Sequence, residues 1–262
     1  MAKAQPISNA VSIMFTDLKG PFRTAGMKNE LYAQSFIEGD SKFLRRYYFT
    51  FKSSSIDNPR HLLEVLLKSE NTRLMAYCSD GAPELISRGC LKLLADSGSK
   101  FLYAPPYTPI QNAVVERSHR TTFESAHAML NEAGLPAIFW VHAAEYATLI
   151  YNCLPTNTSS GYMSPFQAKY GLVPDVSHFR KFGCVSYIHI PTETREKGFV
   201  DKAYKYYFLG IDMPTQAYKV WVIRLSEMKV SSNVMFDEYT KQKFLEPAVV
   251  PVRRGILNFF FI

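Results

Sequence analysis

The chain predicts an α/β fold, a mixed sheet flanked by helices, followed by a small β-rich, barrel-like unit. Three observations carry this. Apolar and aromatic runs at 11–17, 31–37 and 43–51 are separated by short turn signals; the period becomes helical across 55–70; and short strand-like runs return from 182 onward. At 262 residues there is room for one full domain with a buried core and a smaller module beside it.

In chain order, 11–17 reads as a buried strand that ends at Asp17 before the Gly20-Pro21 turn. With 31–37 and 43–51 it makes an antiparallel meander. Residues 55–70 place Leu62, Leu63, Leu66 and Leu67 at helical spacing, with Pro59 tolerated in the first turn. A fourth strand, 73–78, leads to Asp80; 85–95 is a second helix; 100–103 is a fifth strand. Pro105, Pro106 and Pro109 exclude regular structure from the following loop. Long helices follow at 114–133 and 135–153. Three strands, then helix, strand, helix, strand, helix is the order of the ribonuclease-H-like fold. Residues 155–181 read as a linker plus a short helix capped by Ser164 with Pro165 at its first position. Runs at 184–190, 204–211, 218–223 and 229–236 form the small β domain (182–240), and 241–262 an irregular tail.

The totals narrow the function classes. Aromatic residues make up 14% of the chain, which excludes general disorder, and the net charge is +7. Residues 1–160 hold sixteen basic and fourteen acidic side chains against fourteen and nine in 161–262, an excess that suits a polyanion such as DNA. The cysteines at 78, 90, 153 and 184 lack zinc-site spacing and read as buried free thiols. No apolar run reaches the roughly 20 residues that span a bilayer, so no membrane partner is expected.

The residues that carry chemistry are three carboxylates: Asp17 and Asp80 at strand ends, and Glu116 early in a long helix. Phosphoryl transfer needs an activated nucleophile and a stabilised leaving oxygen, which two Mg²⁺ or Mn²⁺ ions supply, and such hard cations take oxygen ligands. Each acid also has an ordinary reading. Asp17 and Asp80 can begin turns, and Glu116 with Arg120 can form an i,i+4 ion pair on a helix surface.

Together, Thr16-Asp17-Leu18 with Gly20-Pro21-Phe22, Cys78-Ser79-Asp80, Tyr107-Thr108-Pro109 with Gln111-Asn112, and Val115-Glu116-Arg117 resemble the integrase region of a copia-type long-terminal-repeat retrotransposon. Phe139-Trp140, Ser164-Pro165-Phe166, Phe182-Gly183-Cys184, Phe208-Leu209-Gly210 and Phe236-Asp237-Glu238 continue the resemblance, which spans roughly 11–240. It implies a catalytic core over 11–154 with Asp17, Asp80 and Glu116 as catalytic and metal-binding acids, then the β domain. Residues 1–10 would be a remnant of a preceding zinc domain, with no zinc held by this chain. The implied reaction is 3′-end processing and strand transfer of element DNA into chromosomal DNA, with Mg²⁺ or Mn²⁺, on double-stranded DNA, by a homo-oligomer working in the nucleus and otherwise cytoplasmic. DNA contacts are assigned to Lys100, Gln111, Asn112, Arg117 and Arg120, the loop 106–112 is the expected active-site flap, and the apolar surface of the helix 140–151 serves either self-association or packing on the chain's own core. Two further readings stay open from the residues: an inactive or domesticated remnant that binds nucleic acid or self-associates, and a nuclease without joining activity.

Overall fold

A computed structural model describes residues 10–66, 70–79, 88–103, 109–189, 203–222 and 227–240. The first strand divides in two. β1 (Ala10–Val11) pairs in parallel with β5 (Arg73–Leu74), and β2 (Met14–Lys19) enters the main sheet. β2 pairs antiparallel with β3 (Tyr32–Glu38), and β3 with β4 (Leu44–Phe49). On its other side β2 pairs in parallel with β6 (Ala76–Ser79), which pairs in parallel with β7 (Lys100–Tyr103). The order β4-β3-β2-β6-β7 is therefore an antiparallel meander extended by two parallel strands, the ribonuclease-H-like arrangement.

Alternation along the strands divides the core between the two faces. Met14 and Phe36 pack with Leu62 and Leu63 of α1 (Asp57–Glu64) and with Cys90 and Leu94 of α2 (Arg88–Asp96). Phe15 and Ile37, one residue along on each strand, pack instead with Val115 of α3 (Pro109–Ala133). Helix α3 begins five residues before its predicted start: Pro109 opens it, where the missing N–H has no intrahelical partner to lose. Residues 109–112 are thus helical and not part of a flap; 104–108 lie outside the described residues, as do 1–9 and 241–262.

Helix α4 (Trp140–Cys153) follows α3 after a short 3₁₀ turn at Ala137–Phe139. Its Asn152 carboxamide accepts from Leu44 N at 2.8 Å and donates to Leu44 O at 2.9 Å, closing the edge of β4 as another strand would. The segment read as a linker by composition contains a hairpin, β8 (Thr156–Thr158) and β9 (Gly161–Met163). Ser164 caps α5 (Pro165–Tyr170) as predicted, accepting from Gln167 N at 3.1 Å.

A buried charge network ties α5 to the core. The Lys169 ammonium contacts Glu38 of β3 and lies 3.1 Å from Glu70, while Arg45 of β4 bridges the same two carboxylates at 2.7 and 2.6 Å. Burial acts to raise the Glu38 carboxyl, but Arg45 and Lys169, with hydrogen bonds from Lys169 and Ser41, hold it below its usual value.

Among the described residues the small β domain has five strands, one more than predicted: β10 (Val185–His189), β11 (Ala203–Asp212), β12 (Ala217–Val222), β13 (Glu227–Ser231) and β14 (Met235–Asp237), in the order β13-β12-β11-β10-β14. It shares its core with α4. Phe182, Tyr207, Phe208 and Leu209 pack in one cluster with Trp140, Ala143 and Tyr146, and the Tyr146 hydroxyl donates to Arg180 O and accepts from Arg180 N. The apolar surface of α4 is consumed within the chain, so of its two readings it is packing on the chain's own core that holds.

Gly183 sits at this junction in the left-handed region (φ +72°), where an added Cβ would lie 2.2 Å from the Ala133 Cβ. Gly183→Ala is expected to lower unfolding free energy by about 2–4 kcal/mol through overpacking and backbone strain. Denaturant titration of a double-mutant cycle with Ala133→Gly separates the two, since only the overpacking part should be recovered.

Candidate active site

Asp17 is the fourth residue of β2, inside the strand and not at its end. It shares the sheet face of Phe15 and so looks toward α3. Its Oδ1 accepts from Leu18 N at 2.8 Å, and its Oδ2 lies 3.6 Å from Nδ1 of His119. On α3 the buried positions Val115, Ser118, His119, Thr122 and Ala126 form one stripe, which leaves Glu116 and Arg120 on its exposed flank. Asp17, Lys19, Glu116, His119 and Arg120 consequently line one groove of about 510 Å³. Among the described residues Glu116 and Arg120 form no ion pair with each other.

A polar and aromatic layer lies beneath the groove. Cross-strand register places Asp17 opposite Ser35 and Ser35 opposite Arg46. The Arg46 guanidinium donates to Ser35 Oγ at 2.8 Å, to Thr122 Oγ1 of α3 at 2.8 Å and to Thr148 Oγ1 of α4 at 3.3 Å. Its Cζ stands 4.6 Å from the Phe123 ring centroid, and Lys19 Nζ stands 5.0 Å from the same centroid. Burial, reinforced by the charges of Arg46 and Lys19, takes the His119 imidazole down to about 3.

The remaining assigned residues fall in three groups. Arg117 is absent from the groove: it points around the helix to Lys42 and Tyr151, whose titrations feel its charge. Lys100 is also absent. The register of β7 on β6 and of β6 on β2 sets it four residue steps, about 13 Å, short of Asp17 along the strand direction. Asp80 and the side chains of Gln111 and Asn112 lie outside the described residues; Ser79, the last residue of β6, directly precedes Asp80 in sequence. Sequence reasoning misses His119 and Arg46. His119 is within its reach, being three positions after Glu116 and hence in its helical neighbourhood, whereas Arg46 needs the strand register.

The donor set suits a hard divalent cation. Three carboxylates, Asp17 from β2 with Glu116 and Glu124 from α3, line one groove that contains no thiol, and hard cations take oxygen ligands. Among the described residues no group of three ligating side chains is assembled. No helix among them is long and apolar enough to cross a membrane. The four cysteines are free, and Cys78, Cys90 and Cys184 are buried.

Comparison with known proteins follows the same lines. Residues 184–250 match the family model described as Retroviral polymerase SH3-like domain. The chain is 28% identical over 210 residues to the Retrovirus-related Pol polyprotein from transposon RE1 of Arabidopsis thaliana, a match that takes in 80% of this chain and 14% of the relative. It is 26% identical over 230 residues to the corresponding polyprotein from transposon TNT 1-94 of Nicotiana tabacum, covering 88% of this chain and 17% of the relative. The chain therefore spans about a seventh of the length of these curated relatives. Its homologues are copia-type, retrovirus-related Pol polyproteins of plant transposons. Among solved structures, the catalytic core domain of BIV integrase aligns with 60% of this chain and 92% of its own, at 16% identity and a TM-score of 0.44.

Proposed function

We propose that this chain is the core and β-rich module of a retrotransposon integrase, which trims 3′ ends of element DNA and joins them to chromosomal DNA, working in the nucleus as a homo-oligomer. The observation that carries the reading is the convergence of Asp17 and Glu116 on one groove from two separate elements. Asp17, Glu116 and Asp80 would hold Mg²⁺ or Mn²⁺. When bound, two such ions supply Lewis-acid charge for the attacking and leaving oxygens of an in-line displacement.

The chain's own residues supply the rest. Arg120 and Lys19 flank the acids on the groove and would hold the phosphodiester by charge, fixing its position without reading its sequence. Buried Arg46 cross-links β3, β4, α3 and α4, and so ties the helix that bears Glu116 to β3, the antiparallel neighbour of the strand that bears Asp17. The deciding assay incubates the purified chain with Mn²⁺ and blunt oligonucleotide duplexes. Joined products that vanish with chelator are expected. Cleavage without joined product would assign a nuclease, and duplex binding without either product would assign a non-catalytic module.

A further inference from the structure

We propose that His119 is the positioning residue of Asp17: its Nδ1–H faces Oδ2 of the carboxylate while the Leu18 N–H holds Oδ1, which fixes the side chain in one rotamer toward the groove. The inference rests on the reading of Asp17 and Glu116 as metal-holding acids. The His119 side chain is only 4% exposed, and its Nδ1 stands 3.6 Å from Asp17 Oδ2. That is just past hydrogen-bond reach, the usual state of such contacts before the reacting complex forms. The other ring nitrogen, Nε2, is buried with no hydrogen-bond partner among the described residues.

A buried N–H without an acceptor forfeits its full desolvation cost, so the proton belongs on Nδ1, where a carboxylate waits. The ring plane is set independently by the Phe123 ring, which meets it edge-on at 5.8 Å and 79°. Position, tautomer and plane thus agree on one task, orienting an acid that itself reaches into the groove, as outer residues do for ligating side chains in metal sites.

Two amides test this. An asparagine places its amide where Nδ1 stands, and a glutamine places its amide where Nε2 stands; the two are alike in polarity, so a merely structural role would not separate them. Mn²⁺ affinity of the full chain is measured by calorimetry, with melting temperature as the fold control. His119→Gln is expected to weaken Mn²⁺ binding about 10–100-fold and His119→Asn by no more than about threefold, the range seen when a residue behind a ligand is lost or retained. Equal affinities for the two variants, at any level, overturn the inference. If Asp17→Asn loses Mn²⁺ while His119→Gln binds like the parent, the inference alone falls. A parent that binds no Mn²⁺ removes the reading of the site and this inference with it.

Discussion

Glu116→Gln and Asp17→Asn are each expected to lower Mn²⁺-supported strand joining by about a thousandfold or more, with melting temperature nearly unchanged. Both substitutions keep the shape of the side chain and remove its charge. The loss of several kcal/mol of transition-state charge stabilisation converts at tenfold per 1.36 kcal/mol. Stability should hold because Glu116 is exposed on α3, and because the amide oxygen introduced by Asp17→Asn can still accept from Leu18 N. An exposed change such as Glu116→Gln stays within about 0.5 kcal/mol. Since the acids would act as one unit, the double variant should be little worse than either single one. Rates from a gel-based joining assay and a thermal melt on the same preparations check this; single variants with parental rates would show that the groove is not the catalytic centre.

Lys169→Met carries the largest expected effect on stability. It deletes one of two cations that compensate Glu38 and Glu70, leaving two buried carboxylates with Arg45 alone. Breaking a buried network from one side costs about 3–5 kcal/mol, because the uncompensated charge stays behind. In a chain of this size that is a fall of roughly 10 °C in melting temperature. The pH dependence has a definite sign. Glu38 in the parent titrates below its ordinary value of 4.5, so its contribution is present above that value and is lost as pH falls through the lowered one. Protonating a carboxyl relieves the variant sooner than the parent. The gap between their melting temperatures should therefore be widest near neutrality and narrow as pH drops below about 4.5. A gap that is constant with pH would mean Lys169 acts through packing of its alkyl chain.

Much of this is legible in the sequence, and what is not has physical reasons. Element order, the Ser164 cap and the burial of three of the four cysteines, Cys153 being only partly buried, follow from period and local chemistry, which are written residue by residue. The start of α3 is displaced because Pro109 reads as a breaker when, at the first helical position, it has no hydrogen bond to break. The 156–163 hairpin is hidden by a composition of small polar residues that serves turns and exposed strands equally. Asp17 and Glu116 can be found from sequence, but the side chains behind them cannot all be. Arg46 reaches the site only through the register Asp17–Ser35–Arg46, a relation between three strands that no local pattern records. Arg117 and Lys100 are assigned to DNA along with the resemblance, and neither lines the groove, because a sequence pattern says nothing of which way around a helix, or how far along a strand, a side chain looks.

Helix α4 gives the molecule a property of its own. One side of it closes the edge of β4 through Asn152, and another side is the floor of the second sheet through Tyr146 and its two bonds to Arg180. The two sheets have a party wall where a jointed protein would have a hinge. Turning one against the other would shear a continuous aromatic layer, so the groove and the β module should travel as a single stiff tool. Under the proposed function, a duplex lying across both would have to come to that fixed shape by bending itself.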